Sequence, residues 1–327
     1  MFLLVPDAQV NLKRSIRYCA TEEHNYAKKV TTSDASTQTH ASDFLTEENT
    51  NFYTGLPNLN IFMALLTIMK TVIPNGKFKF LPAADQLLLV LMRLRLGLLH
   101  TDLADRFLIK ESLSRQIFRY WIPQISSKLS LLLAFIPNSL VQKSMPMNIR
   151  LRYPKLRCII DCTEIFTEKP LKLLTRAQMY SHYKAHQTVK YLIGIAPNGL
   201  ITFLSAGYSG RASDLCVVRN SGFLDLIQPM DQIMVDRGFN IEDDLKQRGA
   251  RLIIPNFTRG KRQLSRGEVV HTRRVANVRI HVERAIRRVR CFRILNGNFP
   301  LAQIHQLDDI MRVICILCNL KRNLIKV

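Results

Sequence analysis

The sequence predicts an α/β protein: a mixed sheet flanked by helices, preceded by an all-α region. Three observations predict it. Up to about residue 150 the apolar residues recur at helical spacing, whereas beyond it short β-branched runs alternate with helical stretches. A Pro-Asn-Gly turn joins two of those runs as a hairpin. A long amphipathic stretch near the C-terminus then supplies a helix able to cover the sheet.

Residues 1–50 are expected to form a disordered leader, because Thr31 to Ser42 is rich in Ser, Thr and Asp and carries neither periodicity. Residues 51–150 form the helical region. Within it, Asn60 to Ile73 is an apolar helical run stopped by Pro74-Asn75-Gly76. Pro82 opens the next helix, whose apolar face is Leu87, Val90, Leu91 and Leu94. Thr101 is placed to cap a short helix, Asp102 to Phe107, and a tight turn leads to a third from about Glu111 to Ile122. On that third helix Leu113, Ile117, Phe118 and Trp121 share one face, and Arg115, Gln116 and Arg119 share the other. A short helix, a tight turn and a helix with a basic polar face form a helix-turn-helix pattern over about 80–122, although any small helical bundle with a solvated face would look alike.

Residues 151–327 change period. Leu156 to Thr163 and Gln232 to Val235 suit buried strands, and Thr188 to Ala196 and Leu200 to Ala206 are the two arms of the hairpin. Asp214 to Leu226 reads as a helix with Asp214 near its start, Ala250 to Ile254 as a short strand, and Arg274 to Leu295 as a long helix striped by Val278, Val282, Ala285, Val289 and Phe292.

Composition narrows the function. The 327 residues hold 47 Lys and Arg against 25 Asp and Glu, a formal charge of +22. Such an excess points to a polyanionic partner, nucleic acid ahead of an acidic membrane, with a merely solvated basic surface as the bland alternative. No membrane span is expected, since the greasiest stretch, Leu81 to Leu99, carries Asp85, Arg93 and Arg95. Met1 to Val5 is apolar but Asp7 interrupts it, so no secretory signal is expected. Seven scattered cysteines suggest free thiols in a reducing compartment, and Cys315 and Cys318 lie in an apolar helical run without a second ligand pair.

Two strand-like runs, Cys158-Ile159-Ile160-Asp161 and Ile233-Met234-Val235-Asp236, each end on a carboxylate. Either Asp alone could be a turn or cap residue. Two at the C-terminal ends of neighbouring strands suggest a ligand site, because an ionised carboxylate beside a core needs a partner. Glu283, beside the stripe of the long helix, is the third candidate; Arg279 and Arg287, four residues to either side, could instead make ordinary surface pairs with it. Three converging carboxylates would suit one or two hard divalent cations, Mg2+ or Mn2+, of the kind that assist in-line displacement at a phosphodiester. The surroundings agree: from Lys246 to Arg293 the basic residues include Arg259, Lys261, Arg262, Arg273, Arg274, Arg287 and Arg288, and only Glu268 and Glu283 are acidic.

These residues carry a family resemblance. Ile160-Asp161-Cys162-Thr163-Glu164, Gly207-Tyr208-Ser209-Gly210-Arg211-Ala212-Ser213-Asp214, Val235-Asp236-Arg237-Gly238-Phe239 and Arg279-Ile280-His281-Val282-Glu283-Arg284 resemble the motifs of the DDE superfamily endonucleases, closest to eukaryotic PIF/Harbinger-like transposases. Pro82 to Trp121 is similar to the helix-turn-helix preceding the nuclease domain there, and the resemblance spans roughly residues 50 to 325. It implies an RNase H-like fold, metal-dependent cutting and joining of double-stranded DNA, and a nuclear location. The catalytic and metal-binding triad would be Asp161, Asp236 and Glu283, with Asp214 as a helix cap or supporting acid and Arg115 and Arg119 on DNA. A homo-oligomer and a separate DNA-binding partner protein are further expectations, since Cys19 stands alone where some relatives carry a zinc-binding domain. The recognition helix begins with Lys110 and Glu111 where relatives often have Ser or Thr, so its capping is weaker. A domesticated relative that binds DNA without catalysis is the alternative.

Overall fold

The computed structural model describes residues 38–73, 78–236, 238–256, 263–322 and 324–325. The Pro74-Asn75-Gly76 breaker, Arg237 and the expected DNA contacts Arg259, Lys261 and Arg262 lie outside the described residues, as does Cys19.

The chain from Thr39 onward forms one compact unit. It opens with helices α1 (Ala41–Phe44), α2 (Thr50–Thr54) and α3 (Leu59–Lys70), so the last part of the expected leader is folded. The reason lies in the next helix, α4 (Ala83–Leu96), where ten consecutive residues from Asp85 to Leu94 are buried. A buried carboxylate needs donors. Asp85 finds them in the Ala41 amide, 2.6 Å away, and His40 Nδ1, 2.8 Å away, which tie the N-terminal segment down.

Helices α5 (His100–Phe107) and α6 (Glu111–Lys128) complete the triplet. Thr101 does not cap α5, which starts two residues before the expected Asp102, with Leu99 at the cap position. As expected from its sequence, α6 has no side-chain cap at Lys110, but it runs six residues beyond the expected Ile122. Its apolar face packs inward: Trp121 is fully buried, and its Nε1 donates to Gln86 on α4 at 2.9 Å. Two short helices, α7 (Asn138–Ser144) and α8 (Met147–Arg150), lead into the sheet.

The sheet is built from β1 (Leu156–Phe166), β2 (Tyr180–Ser181), β3 (His186–Ile195), β4 (Ile201–Leu204), β5 (Tyr208–Ser209), β6 (Gln232–Met234) and β7 (Arg251–Ile253). Its order is β2-β3-β1-β6-β7, with β4 and β5 also paired to β3. β3 runs antiparallel to β1, whereas β6 and β7 run parallel to it, so the sheet is mixed. Alternation along the strands feeds two cores. Ile159, Ile193 and Met234 face a large core shared with the helical region, and Cys158, Ile160, Leu192 and Ile233 face a smaller one.

Helices α9 (Leu173–Met179), α10 (Asp214–Asn220), α11 (Glu242–Lys246), α12 (Arg266–Arg290) and α13 (Leu307–Asn319) accompany the strands. The apolar stripe of α12, including Val278, Val282, Ala285 and Val289, closes over the larger core. Cys315 and Cys318 are buried within α13 and belong to the same core. Among the described residues no helix is long and apolar enough to cross a membrane.

Candidate active site

The parallel pairing of β1 with β6 sets Ile159 opposite Met234. Asp161 and Asp236 each follow two residues later, so the period of two aims both toward the side that α12 covers. α12 brings Glu283, one residue after buried Val282. The three acids line one cleft of about 600 Å³, together with Asp214, Lys190, Arg290, Tyr183 and Lys184.

Arg279 organises two of them. One guanidinium nitrogen lies 3.0 Å from Asp236 Oδ1 and the other donates to Glu283 Oε1 at 2.8 Å. The helix-neighbour pair between Arg279 and Glu283 therefore exists, and it coexists with an acid that faces the sheet edge. Arg279 is largely covered, at 15% side-chain exposure, whereas Asp236 and Glu283 are about half open at 45% and 52%. Asp161 accepts the Cys162 amide at 2.8 Å. Burial pushes its carboxyl up to about 6; the Cys162 amide and Arg279 oppose the rise, and the charges of Asp236 and Asp214 add to it.

Asp214 is not the cap of α10. Ser213 caps it, accepting from the Cys216 amide, and Asp214 is the first helical residue. Its carboxylate instead receives Lys190 Nζ at 2.9 Å. Lys190 also faces buried Glu164 at 3.6 Å and donates to the Ala212 carbonyl. Burial works against the Lys190 charge, but Asp214 and Glu164 outweigh it and raise its pKa. Glu164 is further held by Thr188 Oγ1 at 2.7 Å. Arg290 braces α12 to β1 by donating to Thr163 Oγ1 and the Glu164 carbonyl.

Lys190 and Arg279 were not among the expected site residues. A lysine alone in the apolar run Thr188 to Ala196 was the available signal for the first, since a strand buries a cation only when acids answer it. The signal for Arg279 was its place four residues before Glu283, which also fits a surface pair.

The expected DNA-binding arginines are spread out. Arg273, Arg274 and Arg287 are exposed on α12, and Arg288 donates to the Arg322 carbonyl at 2.8 Å. Arg115 and Arg119 are exposed on α6 and line a separate cleft with His100, Phe118, Gln303 and Gln306. Arg115 is engaged by Glu111 within its own helix.

Residues 160–319 match the family model described as DDE superfamily endonuclease, and residues 79–130 match the helix-turn-helix of DDE superfamily endonuclease. No curated protein and no solved structure significantly matches the chain.

Proposed function

We propose that the chain, whose two matched segments support a DDE superfamily endonuclease with its helix-turn-helix, cuts and joins DNA phosphodiester bonds with Asp161, Asp236 and Glu283 as its catalytic acids. The observation that carries the reading is their convergence: acids 122 residues apart in the chain (283 − 161) line one cleft. The strand order, a central β1 with an antiparallel hairpin on one side and two parallel strands on the other, supports an RNase H-like core. The motif set supports the PIF/Harbinger-like group, and with it a nuclear location, double-stranded DNA as substrate, a homo-oligomer and a DNA-binding partner protein.

The donor set is chemically suited to a divalent cation, because all three side chains offer only carboxylate oxygens, which Mg2+ and Mn2+ favour. Among the described residues, no group of three or more His, Cys, Asp or Glu side chains stands close enough to hold an ion as arranged. The Arg279 guanidinium sits between Asp236 and Glu283 and answers both charges. The same two carboxylates would hold Mg2+ or Mn2+ with Asp161 once Arg279 turns away. Such an ion supplies Lewis-acid stabilisation and lowers the pKa of a bound nucleophile.

The protein's own groups do the rest. Arg290 and the α12 stripe fix Glu283 against the sheet edge. Lys190 holds Asp214 beside Asp161 and leaves a positive charge in the wall of the cleft. The exposed arginines of α12 offer phosphate contacts that position the duplex. Incubating supercoiled plasmid with the full chain in Mg2+ or Mn2+ tests the reading. Nicking by the wild type and none by Asp236→Ala is expected; equal nicking by both would overturn the assignment.

A further inference from the structure

A second cleft, of about 490 Å³, lies beside the first, between α9 and the strands β2 and β3. Lys169, Arg176 and Arg211 line it with Tyr180, His182 and Leu173, and among the described residues no acid does. The sequence around it has the same bias: from Lys169 to Gln187 there are four Lys and Arg (Lys169, Lys172, Arg176, Lys184) and no Asp or Glu. The Arg176 side chain donates to the Pro170 carbonyl, and the backbone of Arg211 is tied to the Gln178 carbonyl, which joins the α10 side to α9. Tyr180 and His182 meet edge to face, with ring centroids 5.4 Å apart. His182 is exposed and Tyr180 half-buried, so part of this aromatic surface is open to solvent.

The β2–β3 turn connects the two clefts. Tyr180 and His182 line this one, whereas the next residues, Tyr183 and Lys184, line the acidic one. A strand whose phosphate lies at the acids therefore meets Tyr183 and Lys184 first and the second cleft next. Cations alone would suit duplex phosphates. Rings set among them suit a base that has left its stack, because within a duplex neighbouring bases cover each other's π-faces.

We propose that this second cleft holds an unpaired nucleotide of the substrate strand, its base against Tyr180 and His182 and its phosphates on Lys169, Arg176 and Arg211. The inference rests on the nuclease reading above and adds to it a strand-separated substrate next to the cut. Binding without divalent cation separates the two. The full chain is titrated with a blunt duplex and with a forked duplex of the same sequence carrying 2-aminopurine in its unpaired arm. The fork is expected to bind roughly five-fold or more tighter, the lower end of what stacking of one base supplies. Its 2-aminopurine should be quenched on binding. His182→Ala, which alters an exposed side chain, and Tyr180→Ala should remove the preference and the quench while blunt-duplex affinity stays within about two-fold. Tyr180→Phe, which keeps the ring, should retain both. Equal affinity for fork and blunt duplex, or a preference untouched by these variants, overturns the inference and leaves the nuclease reading standing. Failure to bind either DNA overturns both.

Discussion

At the level of single residues, the cleft turns on how each acid is answered. Asp161 carries its carboxyl well above the ordinary aspartate value of 3.8, at about 6, chiefly because burial disfavours its ion. A carboxyl whose folded pKa exceeds its unfolded one binds its proton more tightly when folded. Its contribution to stability is therefore complete below about pH 4 and is lost as pH rises through about 6. In the absence of divalent cations, Asp161→Asn is expected to flatten the loss of stability across that window. It should leave the protein more stable at pH 7 by on the order of 2 kcal/mol, read by urea unfolding at each pH. Arg279 gives the complementary case. Its bonds to Asp236 and Glu283 involve half-exposed carboxylates, so they stabilise the fold by only about 0–1 kcal/mol. Arg279→Ala is expected to lower the metal-free Tm slightly and to enlarge the rise in Tm that Mn2+ produces, since the ion no longer displaces a guanidinium. An unchanged Mn2+ response would show that Arg279 does not compete for these acids.

Elements were legible where their pattern was strong, and their ends less so, because Thr101 and Asp214 are not the caps of their helices. The apolar run Leu156 to Thr163, the hairpin about Pro197-Asn198-Gly199 and the stripe of α12 each became the element expected. α12, however, begins at Arg266 and not near Arg274. Ser265 and Glu268 form a reciprocal capping box there, and the Ser-Arg-Gly-Glu run carried that signal in the sequence. Asp214 was misplaced for the opposite reason. Asp is a good cap by type, but Ser213 stands one position earlier and takes the role, which frees Asp214 for Lys190. On α6 the apolar face became core, and the basic face is exposed as its pattern required. Replacing Arg115 and Arg119 with Ala should weaken duplex binding and flatten its salt dependence by roughly one unit of slope for each phosphate that is no longer neutralised. The Glu111 pair on Arg115 is a solvent-exposed one and is readily exchanged for a phosphate. An unchanged affinity and slope would make the triplet a structural support for the sheet.

Across the whole molecule, the helical region and the sheet share one core, which sequence periodicity did not reveal. Trp121 and Phe118 of α6, Ile193 and Met234 of the sheet, and Val282 and Ile314 of the late helices belong to the same buried cluster. Polar ties run the same way: Ser126 on α6 donates to Asp309 on α13 at 2.7 Å, and Arg95 of α4 donates to the Cys291 carbonyl at the end of α12. Such ties join segments far apart in the chain, and a single sequence carries no local signal for them. Asp236 follows the end of β6 as its apolar run suggested, whereas Asp161 closes its apolar run inside β1, which continues to Phe166, and Glu283 borders the helical stripe. The cations that hold the cleft together were not legible, because Asp236 for Arg279 and both acids for Lys190 come from other elements.

That convergence is the central claim, and Mn2+ binding to the DNA-free protein tests it most directly. Electron paramagnetic resonance of free Mn2+ during titration reports binding without any need for turnover. The wild type is expected to take up Mn2+ at the cleft, and Asp161→Ala, Asp236→Ala and Glu283→Ala should each weaken that uptake about ten-fold or more, as expected when a shared site is left with one carboxylate fewer. Uptake by all three variants indistinguishable from the wild type would contradict the claim that these acids form one metal site.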